Sequence, residues 1–273
     1  MPSTMRISRA FNRHLGSAAI AAILAVGLGG CQTMQSPDIT GSLNARADAG
    51  PSRLTSTEIE ALGERYRANP KNVDVALQYG TALRLNDQRQ QAVAVLEQAT
   101  IVNAGNRALL AAYGRALAEN GNYQQAFDTL TKAHTPSNPD WRILSVQGTV
   151  LDKMGKHDEA RRYYTSALKI APDEPSVLSN LGLSYVLSKD LPKAESTLRI
   201  ALDRGTADAR VRQNLGLAIG LQGRFAEAET IVRADLPANE AEANVAYLKQ
   251  MLSSGEGSRR GPRTSSASTP NAS

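Results

Sequence analysis

Glycine returns every thirty-four residues in this chain, at Gly80, Gly114, Gly148, Gly182 and Gly216. With glycine at about 7% of residues in an average protein, five hits in one chosen register have a chance on the order of 10⁻⁶, and trying every register raises this only to about 6 × 10⁻⁵. Alanine keeps the same interval twelve residues further on, at Ala92, Ala126, Ala160, Ala194 and Ala228. Glycine inside a helix costs about 1 kcal/mol relative to alanine. Such a cost is kept in every unit only where a neighbouring helix must come close to the backbone. The chain therefore folds as a repeat array, with two small residues per unit at the places where helices cross.

The units begin at Val73, Arg107, Trp141, Pro175 and Ala209, giving repeats 73–106, 107–140, 141–174, 175–208 and 209–242. The middle one carries Leu144, Gln147, Gly148, Leu151, Ala160, Tyr164, Ala167 and Pro172. This period and set of positions resemble the tetratricopeptide repeat, a helix-turn-helix unit. The resemblance implies an all-α, right-handed superhelical solenoid. The turn between the two helices of each unit falls at Asp87, Gly121, Gly155, Lys189 or Gly223, and glycine there suits the left-handed conformation that ends a helix. Lys189 departs from that preference. In the last unit Asp235 stands where the others have alanine and Pro237 follows at once, so its second helix is expected to stop early.

Both ends of the array read as lids, which solenoids need because each unit buries its apolar face only against neighbours. Upstream, Thr55 and Glu58 form a capping-box pattern, with Ile59, Leu62 and Tyr66 on one helical face and a stop at Asn69-Pro70. Downstream, Val245, Leu248 and Leu252 line a final helix expected to end in Ser253-Ser254-Gly255. The folded array thus spans 55–252. Residues 32–52 and 253–273 are too polar to bury a core, so both are expected to be disordered.

Arg6, Arg9 and Arg13 precede an apolar run from Leu15 to Leu28, the layout of a secretory signal peptide over residues 1–30. That run holds fourteen residues, short of the about twenty that a membrane-spanning helix needs. Leu28-Gly29-Gly30-Cys31 resembles the bacterial lipobox, with Gly29 a less usual choice at its second place. The resemblance implies that Cys31 carries a thioether-linked lipid, the chemistry suited to a nucleophilic thiolate. It also implies, through Gln32, release to the periplasmic face of the outer membrane. Residues 31–54 would be the lipidated cysteine and its flexible linker, whose twenty-one residues from Gln32 to Ser52 span about 25 Å. Cys31 is the sole cysteine, which excludes internal disulfides and Cys-based metal or redox motifs.

A sequence pI near 9.4 invites a nucleic-acid reading, but charge placement opposes it. Between Arg53 and Leu252 there are 24 Lys and Arg against 23 Asp and Glu, no basic stripe of the kind phosphate binding requires. The excess lies in the ends, including Arg259, Arg260 and Arg263. Of three histidines, His14 leaves with the signal, and His134 and His157 lack a second ligand at metal spacing, so they read as surface or cap residues. No nucleophile-and-base motif or phosphate-binding loop occurs. The chain is expected to have no enzymatic activity, no small-molecule substrate, no metal and no cofactor beyond the lipid on Cys31.

If the units stack as in the resembling family, their first helices line a concave wall. The first three units place Asp74, Arg84, Arg115, Glu119, Arg142, Asp152 and Lys153 on it, a charged half. The last two place Leu183, Val186, Leu187, Leu217 and Leu221 there, with Asn180 and Asn214 at equivalent positions. Leucines could bury the apolar side chains of a bound peptide and asparagines bond its backbone. Equally, the leucines could pack against neighbouring helices and the asparagines be solvated. Leu77 and Thr81 occupy the places where some proteins of this fold hold a terminal carboxylate with Lys and Asn, so that clamp is not expected.

The runs PDWRILSVQGTVLDKMGKHDEA, IAPDEPSVLSNLGLSYVLSKDLPKAE, RVRQNLGLAIGLQGRFAEAE and ADLPANEAEANVAYLKQML, within about 139–252, resemble the TadD-type lipoproteins of the tight-adherence (Flp) pilus machinery. The resemblance implies an outer-membrane lipoprotein that acts as a pilotin, with the pilus secretin or another Tad component as protein partner. A periplasmic scaffold docking peptidoglycan enzymes would use the same anchor and groove, and composition does not separate the two.

Overall fold

The computed structural model describes residues 54–204 and 208–259, with 254–259 as backbone alone. The signal peptide, Cys31, the linker up to Arg53 and the chain beyond Arg259 lie outside the described residues. Among the described residues, α1 (Ser56–Ala68) precedes five helix pairs. These are α2 (Val73–Leu85) with α3 (Arg89–Val102), α4 (Arg107–Glu119) with α5 (Tyr123–Ala133), and α6 (Trp141–Lys153) with α7 (His157–Ile170). The series continues with α8 (Pro175–Leu187) and α9 (Leu191–Arg204), then α10 (Ala209–Leu221) and α11 (Phe225–Val232), and α12 (Ala238–Arg259) closes it. The helices of a pair pack on each other, and first helices stack in order: α2 on α4, α4 on α6, α6 on α8, α8 on α10, α10 on α12. The described chain is an all-α solenoid.

Local signals set the helix ends. Thr55 Oγ1 accepts from the Glu58 backbone at 3.3 Å while Glu58 Oε2 accepts from the Thr55 backbone at 2.7 Å, so the capping box forms. Side-chain caps from Asn72, Asn106, Asp140 and Asp208 open four of the five first helices, and Pro175 at the first helical position opens the other. At the turns, Lys189 takes φ 63° beside 86° at Gly121 and 76° at Gly155. The lysine accepts the left-handed conformation because the turn around it is closed by Lys189 N–H to Val186 O and Asp190 N–H to Tyr185 O, both 2.9 Å.

The glycine ladder marks where the two helices of each unit touch. A Cβ placed on Gly80, Gly114, Gly148, Gly182 or Gly216 would lie 2.5 to 2.6 Å from Leu96, Leu130, Tyr164, Leu198 or Val232. Each partner sits sixteen residues later in the chain. The alanine ladder is buried throughout, with at most 1% exposure.

One feature departs from the sequence expectation and a second lies outside it. The final helix does not end at Ser253-Ser254-Gly255 but runs to Arg259, so the chain from 253 begins as helix. Serine is only mildly unfavourable in a helix, Ser253 Oγ bonds back to Gln250 O at 2.8 Å, and no proline intervenes before Pro262. The second is Gly220, which lies where α12 crosses α10: a Cβ there would be 2.4 Å from Leu248. The short α11 agrees with its expected early stop. Leu178 and Ala201 share a small apolar cluster, whereas the same places one unit later hold Arg212 and Asp235, joined by Arg212 Nε to Asp235 Oδ2 at 2.5 Å.

On the second helices, Glu195 of α9 accepts from Arg199 of the same helix and from Gln222 and Arg224 in the turn between α10 and α11, at 2.7 to 3.0 Å. Burial alone would raise its pKa, but these hydrogen bonds prevail and pull it down to about 2. A carboxylate with a depressed folded-state pKa stabilises the fold above its unfolded pKa and ceases to do so as pH falls through the folded value. The contribution, about 1–2 kcal/mol after solvent screening of the half-exposed arginines, should fade between about pH 4.5 and 2. Glu195→Gln should remove this part of the acid dependence in urea titrations at stepped pH. Separately, Gly182→Ala should lower stability by about 1–3 kcal/mol despite alanine's better helix propensity, because Leu198 is fully buried and has nowhere to move. Urea midpoints at neutral pH measure it.

Candidate functional site

The stacked first helices present a wall with a depression between α6 and α8. It has a volume of about 180 Å³ and is lined by Thr149, Asp152 and Lys153 from α6, Tyr164 from α7, and Asn180, Leu183 and Leu187 from α8. Three candidate residues, Asn180, Leu183 and Leu187, are thus brought together, along with the two charged residues Asp152 and Lys153. Leu183 is buried and belongs to the core, whereas Leu187 is 39% exposed at the mouth. Leu217 and Leu221 on α10 are partly buried against the same core cluster, and Val245 of α12 joins them there. The lid helix therefore takes up part of the apolar surface that the sequence assigned to the groove. Val186 is buried as well.

Both asparagines tie one unit to the one before. Asn180 Nδ2 donates to Ser145 Oγ at 3.2 Å, and Asn214 Nδ2 donates to Ser179 Oγ at 3.0 Å. Asn214 is buried and Asn180 only partly so. Among the described residues neither side-chain carbonyl oxygen has a partner, so Asn180 keeps an acceptor at the edge of the depression. The serine partners Ser145 and Ser179 recur at the repeat interval, a signal present in the sequence but visible only once the asparagines had been matched to it.

Asp152 is the polar centre of the site. Its Oδ1 accepts from His157 Nδ1 and from Ser184 Oγ, both at 2.8 Å, and its Oδ2 accepts from Tyr164 OH at 3.0 Å. These donors come from α7 and α8, so one side chain of α6 joins three helices. Burial pushes the Asp152 carboxyl pKa up, against the lowering effect of the His157, Ser184 and Tyr164 hydrogen bonds. His157 is accordingly no free surface or cap residue, as the sequence had suggested. His134 also points inward, with Nε2 bonded to Gln147 Oε1 at 3.1 Å. Sequence spacing could not reveal the Asp152 group, because its members sit at unrelated positions of successive units.

The charged half of the wall is arranged around α4. Arg84 on α2 pairs with Glu119 at 3.1 Å, and Asp140 caps α6 by accepting from the Arg142 backbone at 2.8 Å. Asp74 and Arg142 are exposed. Cys31 lies outside the described residues. Among the described residues no group of three or more His, Cys, Asp or Glu could hold a metal ion, and no helix is long and apolar enough to cross a membrane.

Comparison with known proteins agrees with this architecture. Sequence profiles of the tetratricopeptide repeat match residues 77–140, 153–218 and 209–234. No curated protein matches the sequence. Among solved structures, the chain is similar to PilW, a widely conserved type IV pilus biogenesis factor, at 18% identity and a TM-score of 0.62, covering 70% of this chain and 90% of that one. It is also similar to a chain of the APC/C hetero-tetramer Cut9-Hcn1, at 15% identity and a TM-score of 0.61, covering 72% of this chain but only 40% of that one. At such identities the likeness concerns the fold. The glycine ladder, the paired helices and the matched profiles together place this chain among the tetratricopeptide-repeat proteins, modules of protein–protein interaction.

Proposed function

We propose that this chain is a lipid-anchored tetratricopeptide-repeat receptor of the outer membrane that assists assembly of a Flp/Tad-type pilus, serving as pilotin for the secretin. The observation that carries the binding part is the open depression between α6 and α8. Leu187 at its mouth and Leu183 on its wall offer apolar contact, and the Asn180 carbonyl beside them accepts a backbone N–H. A volume of about 180 Å³ accommodates one large apolar side chain. Together these suit a short segment of a partner polypeptide.

The pilus assignment draws on the resemblance of the 139–252 runs to TadD-type lipoproteins. The fold shared with the pilus biogenesis factor PilW points in the same direction. A secretin subunit crosses the periplasm before inserting as a multimer. A receptor held by lipid on Cys31 would bring that cargo to the membrane and cover an aggregation-prone segment on the way.

Leu187→Glu should abolish capture of the secretin in pull-downs while leaving the urea midpoint within about 0.5 kcal/mol of the parent, since an exposed position tolerates charge. Unchanged capture would reject the apolar groove. In cells, Cys31→Ser should reduce secretin multimers in the outer membrane and abolish pili. Normal multimers and pili in that strain would remove the pilotin reading, and in-cell crosslinking to murein hydrolases instead of secretin would put the scaffold role in its place.

A further inference from the structure

Among the described residues of the inner wall, Arg115 is a cation held between two others, Arg84 and Arg142, with no bond of its own. Arg115 sits on α4 one turn before Glu119, is only partly exposed, and among the described residues makes no hydrogen bond or ion pair. The carboxylates near it are already engaged: Glu119 is paired with Arg84 at 3.1 Å, and Asp140 accepts the Arg142 backbone N–H at 2.8 Å. The other charges facing it are Arg84 from α2 and Arg142 from α6. Burial and the Arg84 charge depress its pKa, Arg142 adds to this, and Glu119 and Asp140 oppose it.

A guanidinium carries five donors and loses hydration when partly buried, so without an acceptor it weakens the fold. None of its nitrogens is among the buried side-chain atoms that lack a partner, so all remain reachable from solvent. The arrangement leaves a solvent-reachable cation beside Arg84 and Arg142 on the stacked first helices.

We infer that the inner wall of the first three units holds a side-chain carboxylate of an acidic partner segment on Arg115, with Arg84 and Arg142 flanking it. Three guanidiniums against two carboxylates leave a single positive charge, which matches a carboxylate better than a doubly charged phosphate. An Arg–carboxylate contact is bidentate and directional. A side chain is the source, because Leu77 has no donor and Thr81 offers a single hydroxyl, too few to surround a chain terminus. The inference rests on the reading of the wall as a partner-binding surface and adds a second, polar contact to its apolar one.

The test uses the full chain and peptides of alternating Leu–Glu, Leu–Gln or Leu–Lys that carry an uncharged dansyl label and have both termini blocked, so that no charge remains outside the varied side chains. The Leu–Glu peptide should bind, more weakly as salt rises, and the other two should bind at least about tenfold less tightly, as the loss of one charged hydrogen-bond pair requires. Arg115→Gln should weaken Leu–Glu binding about tenfold while leaving the urea midpoint unchanged or raised, whereas Arg162→Gln at an exposed site on α7 should alter neither. Arg115→Lys, which keeps the charge and loses the fork, should fall between. No binding of Leu–Glu, equal binding by Arg115→Gln, equal binding of Leu–Gln, or a lowered urea midpoint for Arg115→Gln would each overturn the site. Leu–Glu binding that survives Arg115→Gln but fails on Leu187→Glu would overturn it and leave the apolar groove standing.

Discussion

The contact between a glycine on the first helix of each unit and a bulky side chain on the second governs this structure. Leu96, Leu130, Tyr164, Leu198 and Val232 fill the space that a Cβ would take, which brings the paired backbones together and fixes their crossing. Each pair then presents a constant surface to the next, so first helices can stack on first helices along the array. The groove, the charged half-wall and the inter-unit asparagine ties all follow from that stacking. A single loosened crossing would shift every residue beyond it.

What the sequence made legible was whatever repeats. The glycine and alanine ladders, the turn positions and the capping box could be read because one period imposes them on every unit. Asp152, His157, Ser184 and Tyr164 meet at one point only, in one pair of units, and no spacing announces them. Gly220 escaped notice because its partner Leu248 belongs to the lid and not to a repeat. The lid also explains why the apolar half of the wall is smaller than leucine positions suggested: Leu217 and Leu221 pack against the cluster that Val245 completes, and the depression is left to Leu183, Leu187 and Asn180. The last helix outran its expected end because weak helix formers slow a helix without stopping it.

The wall divides chemically. Around α4 it is ionic, with Arg84 paired to Glu119 and the guanidiniums of Arg115 and Arg142 beside them, and around α8 it is apolar with an Asn180 amide oxygen at its edge. A partner lying along both halves would be read by charge in one and by shape in the other, and neither half alone supplies much selectivity. The two ends of the array are unequal for a physical reason as well. The central units close with apolar contacts and the last with ions.

That ionic closure has an evolutionary consequence. Units of one length invite unequal exchange, in which a stretch of one repeat replaces the matching stretch of another. Arg212 lies on α10 of the fifth unit and Asp235 in the turn that follows α11, with side chains only 14% and 12% exposed. A crossover falling between them would join Arg212 to an alanine, or Asp235 to a leucine, and leave a lone, partly buried charge without its partner. The terminal unit is thereby protected against shuffling, and the array keeps a defined last member.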